Sequence, residues 1–198
     1  MLDNPNSRRT LAHLVDPIAR LLIKARITPD ALTWFGSGAT LVISVVFLAR
    51  GDFLLGAVLF GIFGLVDLLD GTMARISGKS SRWGALLDST LDRVGDAAIF
   101  GGLLLYYAHH DQLLAVLTGV CLVSGGLVPY VKAKAESLGI ACDGGIAERA
   151  ERITTILVTT GLAGLGLPYV GAIGLWLIAV ASIVTFGQRM AQVWRNDV

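Results

Sequence analysis

Four aspartates lie between two apolar runs of this 198-residue chain, within the stretch 67–92. Asp67 and Asp70 are three positions apart, and Asp88 and Asp92 are four apart, so each pair occupies one face of a helix. A charged side chain inside a bilayer is costly, rare and usually functional. Two such faces brought together would offer a set of carboxylate oxygens, the ligands that Mg²⁺ and Mn²⁺ prefer. The stretch therefore predicts a metal site for one or two ions.

The composition indicates a small polytopic membrane protein, because 54% of the residues are hydrophobic and only 16% are charged. Six apolar segments each approach the roughly 20 residues that cross about 30 Å of hydrocarbon. They are residues 29–49, 53–76, 83–108, 112–135, 147–165 and 170–193. The predicted fold class is therefore an all-α integral membrane protein, with six transmembrane helices formed by residues 28–198.

Residues 1–27 differ from the rest of the chain. Apolar residues recur there at helical spacing, and basic residues interrupt them: Leu11, Leu14, Val15, Ile18, Leu21 and Leu22 against Arg8, Arg9, Arg20, Lys24 and Arg26. The pattern predicts an amphipathic helix in the membrane interface, which Pro17 starts or bends. A disordered basic leader is the alternative. Thr28 and Pro29 fit the N-cap and first turn of the first membrane helix.

The basic residues set the orientation of the six segments. The connections near 50–52, 109–111 and 164–170 would share one side of the membrane, and of the 16 Lys and Arg only Arg50 lies there. Cytoplasmic connections carry an excess of Lys and Arg. We therefore expect both termini and the acidic stretch at the cytoplasmic face of the cell membrane.

The acidic stretch has a fixed pattern of small, acidic and basic residues. It reads Asp67-x₂-Asp70-Gly71-x₂-Ala74-Arg75-x₈-Gly84-x₃-Asp88-x₃-Asp92. This pattern resembles the signature of the CDP-alcohol phosphatidyltransferases at every fixed position, and the resemblance extends to the six-segment layout. It implies an enzyme that joins a CDP-activated lipid to an alcohol and releases CMP. An ion transporter with intramembrane aspartates is the alternative of a different class, but the glycines, alanine and arginine favour the enzyme.

The residues of the pattern suit a nucleotide diphosphate. Metal ions on the aspartates would bridge the phosphates and neutralise the charge that develops on the leaving group. Gly71 and Ala74 are small, so a ligand can approach the helix backbone, and Arg75 is a permanently charged donor for a phosphate. Gly84 could let the second and third segments pack closely.

One aspartate should act differently from the others, because the acceptor hydroxyl must lose its proton. The resemblance implies that Asp92 is this general base as well as a metal ligand, and that the other three aspartates are mainly ligands for two ions. Asp96 follows Asp92 by four positions and lies outside the signature. We expect it to support a metal ligand or Arg93 rather than to contact metal.

A second cluster is basic and lies near the cytoplasmic ends of the last three segments: Lys132, Lys134, Arg149, Arg152 and Arg189. These cations could simply anchor helix ends at the interface. Their convergence would instead form a pocket for an acceptor that carries its own phosphate. The segments YVKAKAESLG and GGIAERAER resemble the phosphatidylinositol phosphate synthase branch of the family, whose donor is CDP-diacylglycerol and whose acceptor is inositol phosphate.

This branch resemblance implies the remaining site residues. For the acceptor phosphate it favours Lys134, Arg152 and Arg189, with Lys132 and Arg149 as second choices. For CDP-diacylglycerol the predicted set is Asp30, Ala31, Leu32, Thr33, Gly71, Ala74, Arg75, Ser81 and Gly84. Glycerol phosphate, giving phosphatidylglycerol phosphate, is the alternative acceptor. A homodimer among membrane lipids is implied, and no nucleic-acid partner is expected.

Overall fold

The computed structural model describes residues 5–78 and 81–197, and within them the chain forms helices and no β-strand. The α-helices are α1 (Pro5–Lys24), α2 (Pro29–Val46), α3 (Phe53–Ser77), α4 (Arg82–His110), α5 (Gln112–Ser137), α6 (Arg149–Gly164) and α7 (Val170–Asp197). A 3₁₀ turn, Leu48–Arg50, follows α2. Helices α2 to α7 coincide in order with the six predicted segments, so the all-helical prediction is confirmed for the described residues.

Several of these helices can cross a membrane. Among the described residues, four stretches are long and apolar enough by length and composition: Pro29–Arg50, Phe53–Ser77, Gln112–Ser137 and Val170–Asn196. Helix α4 carries charged residues along its first half, and α6 has 16 residues, or about 24 Å at 1.5 Å per residue. Many large apolar side chains on the apolar helices are exposed, among them Val42, Val58, Val116, Val123, Ile173 and Leu177. These features fit a multi-pass membrane protein.

Side-chain caps mark the starts of helices α2 and α4. The Ala31 backbone N–H donates to Thr28 Oγ1 at 3.2 Å, which confirms the predicted N-cap of α2. The Gly84 N–H donates to Ser81 Oγ at 2.9 Å at the start of α4. These bonds satisfy N–H groups that have no partner inside the helix. They therefore fix the first turns of α2 and α4.

The chain divides into two compact units. The first unit combines Met1–Thr40 with Gly61–Val94 and so contains the acidic stretch. Its buried apolar side chains include Ala19, Met73, Leu87 and Leu91. The rings of Phe35 and Phe63 lie 5.9 Å apart between α2 and α3.

The second unit combines Leu41–Phe60 with Gly95–Val198 and contains all five predicted acceptor residues. Helix α7 packs against both α5 and α6. The most deeply buried apolar side chains here are Leu48, Phe100, Leu103, Cys121, Val128, Ile156 and Leu175. A satellite cluster of Val131, Ala135 and Cys142 packs against Ile140, Phe186 and Val193, beside the connection between α5 and α6.

A close helix crossing in the second unit depends on one glycine. A Cβ atom added to Gly102 of α4 would lie 2.8 Å from the Ser44 carbonyl oxygen and 3.2 Å from the Leu48 Cβ. A Cβ atom added to the neighbouring Gly101 would meet nothing within 4 Å. Small residues allow helix backbones to approach in this way in membranes. The two adjacent glycines therefore have different environments.

We expect Gly102→Ala to lower the free energy of unfolding by about 1–3 kcal/mol, because the new methyl group would overlap the Ser44 carbonyl. Gly101→Ala is the matched control, since alanine has the higher helix propensity and meets open space. Thermal unfolding of both variants in detergent measures the difference. Equal destabilisation by the two substitutions would contradict the close crossing.

Candidate functional site

The first unit contains a cavity of about 370 Å³ formed by the start of α2, the end of α3 and the start of α4. Its lining residues are Pro29, Asp30, Thr33, Asp70, Gly71, Ala74, Arg75, Ser81, Gly84, Ala85 and Asp88. All residues predicted for CDP-diacylglycerol are among them except Ala31 and Leu32, which belong to the same first turns of α2. The structure therefore brings most of the predicted donor set to one cavity.

Helical periodicity explains why these residues share the cavity. The lining residues of α3 are 70, 71, 74 and 75, and those of α4 are 84, 85 and 88. Positions that are three or four apart lie on the same helix face. Each helix therefore presents one polar, small-residue face to the cavity.

Asp70 is buried, at 7% exposure, and it is held from a different helix. Thr33 Oγ1 donates a hydrogen bond to Asp70 Oδ2 at 2.6 Å. The Pro29 carbonyl oxygen lies 3.1 Å from the same hydroxyl, but a hydroxyl has one proton, and the carboxylate is the closer acceptor. A hydrogen bond to a ligating carboxylate fixes its orientation and supports metal affinity. Thr33 thus orients one of the predicted metal ligands.

The two motif glycines keep space for a ligand. A Cβ atom at Gly71 would meet nothing within 4 Å and would occupy open space at the cavity wall. A Cβ atom at Gly84 would lie 3.3 Å from Ser81 Oγ and 3.7 Å from Asp30 Oδ1. An added side chain at Gly84 would therefore contact Ser81 and the first turn of α2. The role of Gly84 in packing between the second and third segments stays a prediction.

Arg75 is exposed at the cavity wall, and a residue of its own helix orients its side chain. Its Nη2 donates to Thr72 Oγ1, one turn earlier in α3, at 3.0 Å. The bond orients the planar guanidinium before any ligand is present. Such a fork of N–H donors matches the oxygens of a phosphate.

The remaining motif aspartates differ from Asp70 in their exposure and contacts. Asp88 is exposed and lines the cavity with Asp70. The Asp92 side chain is 19% exposed, and its Oδ2 lies 3.7 Å from Arg93 Nη2. The side chain of Asp67 lies outside the described residues. Among the side chains that are described, no three His, Cys, Asp or Glu gather as a metal cluster.

The donor atoms of the cavity fit a hard divalent cation. The Asp70 and Asp88 carboxylates reach the same cavity, where Gly71 leaves open space beside them. Carboxylate oxygens are the usual protein ligands of Mg²⁺ and Mn²⁺. The described part of the predicted ligand set is therefore chemically suited to such an ion.

In the second unit, two of the predicted acceptor arginines are buried and bonded to backbone carbonyls. Arg152 Nη1 donates to the Ala147 oxygen at 3.2 Å. Arg189 donates from Nε to the Gly144 oxygen at 3.0 Å and from Nη1 to the Val128 oxygen at 2.8 Å. Both arginines therefore secure the connection that leads into α6.

The other three predicted acceptor residues are more accessible. Arg149 is 35% exposed and Lys132 is 36% exposed, while Lys134 is exposed on α5. Lys132 Nζ pairs with Asp143 Oδ1 at 2.9 Å in the same connection. Lys132 and Arg149, the second choices of the prediction, are thus more exposed than Arg152.

Asp96 joins two of these arginines. Its Oδ1 accepts from Arg149 Nε at 2.9 Å, and its Oδ2 accepts from Arg152 Nη2 at 3.3 Å. The sequence suggested Arg93 or a metal ligand as its partner. The bonds to α6 could not be read from the sequence, because the two arginines lie 53 and 56 positions away.

Comparisons with known proteins agree with the cavity chemistry. The family model for CDP-alcohol phosphatidyltransferase matches residues 26–187. The phosphatidylinositol phosphate synthase of Corynebacterium glutamicum is 38% identical, over 98% of this chain and 90% of the relative. That of Streptomyces avermitilis is 42% identical, over 98% and 83%.

Solved structures are similar over nearly the whole chain. The crystal structure of Mycobacterium tuberculosis phosphatidylinositol phosphate synthase with CDP-DAG bound has a TM-score of 0.89 and 40% identity, and covers 92% of this chain and 94% of that one. The same enzyme in complex with manganese and citrate has a TM-score of 0.87 and 40% identity, covering 90% and 88%.

We expect Thr33→Val to weaken Mn²⁺ binding by about 10-fold or more, because valine keeps the side-chain shape but removes the bond to Asp70. Thr33→Ser keeps the hydroxyl and is the matched control, with affinity near that of the unaltered chain. Electron paramagnetic resonance of free Mn²⁺ during a titration measures both constants. Equal affinity in the valine variant would show that Thr33 does not orient a metal ligand.

Proposed function

Because the chain belongs to the CDP-alcohol phosphatidyltransferase family, we propose that it transfers the phosphatidyl group of CDP-diacylglycerol to inositol phosphate. The products are phosphatidylinositol phosphate and CMP. Relatives named phosphatidylinositol phosphate synthase, at 38% and 42% identity, support this acceptor. Family membership also makes the chain an enzyme, so the ion-transport alternative does not hold.

The observation that carries the donor assignment is the cavity of the first unit. It collects Asp30, Thr33, Gly71, Arg75 and Asp88 from three helix segments of one compact unit. A nucleotide diphosphate needs cationic donors, carboxylates for metal and room near the backbone, and these residues supply all three. The related enzyme crystallised with CDP-DAG supports the same ligand class.

The proposed metal ligands are Asp67, Asp70, Asp88 and Asp92, for two Mg²⁺ or Mn²⁺ ions. Manganese in the related enzyme supports the choice of metal. When bound, the ions would neutralise charge on the diphosphate and on the departing CMP. Among the chain's own residues, Thr33 orients Asp70, and Arg75 donates to the phosphates.

Asp92 is the proposed general base. Resemblance to the family supports this role, and the Asp92 side chain is partly exposed, at 19%. In this role Asp92 takes the proton of the acceptor hydroxyl as that oxygen bonds to phosphorus. The bond from phosphorus to the CMP oxygen breaks in the same displacement.

The proposed acceptor residues divide into two groups by burial. Arg152 and Arg189 are buried and bond backbone carbonyls, so their contribution includes shaping the connection before α6. Arg149, Lys132 and Lys134 are accessible and supply the charge that an incoming phosphate meets first. A phosphorylated alcohol suits such a set better than a neutral one.

We further propose six transmembrane helices, α2 to α7, with α1 lying in the cytoplasmic interface of the plasma membrane. Exposed Ile18 and Leu21 next to exposed Arg20 and Lys24 support an interfacial α1. The distribution of basic residues supports an active site on the cytoplasmic side. Resemblance to the family supports a homodimer.

We expect Asp92→Asn to lower turnover at least about 100-fold, the lower scale for loss of a general base, while binding of CDP-diacylglycerol is largely retained. Asparagine keeps the shape but cannot accept the proton. Asp52→Asn, at an exposed aspartate of the connection before α3, is the control and should leave turnover unchanged. Near-normal turnover of the Asp92 variant would move the base to another residue.

The acceptor is tested by CMP release from CDP-diacylglycerol with a panel of alcohols. Inositol phosphate should be used at a KM at least about 10-fold below that of free inositol, because each charge-assisted bond to the phosphate contributes roughly 1.5–3 kcal/mol. A chelator should abolish release, and Mg²⁺ or Mn²⁺ should restore it.

Two results of the panel would change the assignment. Equal use of free inositol would mean that the basic residues only anchor helix ends. Use of glycerol phosphate in place of inositol phosphate would keep a phosphate pocket and make the product phosphatidylglycerol phosphate.

A further inference from the structure

A single buried carboxylate holds two arginines of the second unit. The Asp96 side chain is 6% exposed. Its Oδ1 accepts from Arg149 at 2.9 Å and its Oδ2 accepts from Arg152 at 3.3 Å. Each carboxylate oxygen therefore bonds a different guanidinium. This one side chain therefore links the two arginines.

The two arginines differ in what they can contact. Arg152 is 2% exposed and also donates to the carbonyl oxygens of Ala147 and Gly125, at 3.2 and 3.4 Å. Arg149 is 35% exposed, and its Nε donates to Asp96. The buried Arg152 is therefore fixed in place, and the partly exposed Arg149 is the one that an anion can reach.

The energetics favour a positioning role over a purely stabilising one. A buried ion pair stabilises a fold little compared with well-packed apolar residues, because the desolvation of both charges offsets their attraction. A guanidinium that is already fixed loses less conformational entropy when it binds an anion. The arrangement is therefore better explained by preorganisation for a ligand.

We propose that Asp96 is a positioning residue for acceptor binding, which holds the Arg149 guanidinium against the buried Arg152 in the orientation that receives the acceptor phosphate. This inference rests on the proposed function, because it takes the acceptor to carry a phosphate. Asp96 itself contacts the arginines and not the substrate.

The test is steady-state kinetics of Asp96→Asn in the purified full chain. The amide nitrogen of asparagine would face a guanidinium donor, so one of the two bonds is lost. The acceptor KM should rise about 10-fold or more, the scale of one charge-assisted bond, while the KM for CDP-diacylglycerol and kcat change little. Asp96→Glu restores the carboxylate and should recover part of the acceptor affinity. Asp111→Asn, at the exposed N-cap of α5, is the carboxylate control.

A merely structural role would give a different result. It would lower kcat or the yield of folded enzyme, or raise both KM values together, and any of these patterns would overturn the inference. A double-mutant cycle with Arg149→Lys adds a second criterion. If Asp96 acts through Arg149, the double variant should have about the same acceptor KM as the single variant with the higher acceptor KM. A double variant whose increase in KM equals the product of the two single increases would contradict the inference.

Arg149→Lys also covers the case in which Asp96→Asn does not fold. Arg149 is partly exposed, and its replacement leaves the Asp96–Arg152 bond in place. An unchanged acceptor KM in this variant would overturn the inference without any Asp96 variant.

The proposed function can fail separately. If the unaltered chain uses glycerol phosphate instead of inositol phosphate, the acceptor assignment fails. The same KM shift with glycerol phosphate would still support the role of Asp96. If only alcohols without phosphate are used, the role of Asp96 fails as well.

Discussion

Buried carboxylates in an apolar chain must be matched by donors, and this requirement organises both compact units. An ionised group that leaves water without partners is strongly destabilising. Asp70 is matched by a threonine of α2, and Asp96 by two arginines of α6. In each unit a carboxylate therefore joins two helices, α2 with α3 at Asp70 and α4 with α6 at Asp96. Both contacts involve residues of the proposed sites.

Much of the fold could be predicted because hydrophobic runs and helix signals are local. The starts of α2, α3, α5 and α7 coincide with the predicted segment starts, and the N-cap at Thr28 was readable from three residues. Helix α6 begins at Arg149 and not at the predicted position 147. Glu148, the residue before it, has an extended backbone, and the Ala147 N–H donates to Thr185 Oγ1 at 3.0 Å, a contact 38 positions away that the sequence does not reveal.

At the candidate site, too, local sequence signals do not reveal contacts between distant residues. Spacing within a helix paired Asp67 with Asp70 and Asp88 with Asp92, and of these four Asp70 and Asp88 line the cavity. Spacing could not reveal that Thr33 bonds Asp70, 37 positions away, or that Arg189 bonds the Val128 carbonyl, 61 positions away. Nor could it separate buried from accessible arginines, since Arg149 and Arg152 are only one helical turn apart.

That difference in burial changes what each arginine can contribute to binding. Loss of Arg152 would leave Asp96 buried with one partner fewer and would release the Ala147 carbonyl, so its effect on the acceptor would be mixed with damage to the fold. Arg149 lies at the first position of α6 and is partly exposed, so its replacement separates the two effects. In the proposed acceptor site, Asp96 holds the partly exposed Arg149 guanidinium and is itself held by the buried Arg152, so the two arginines have different parts in one arrangement.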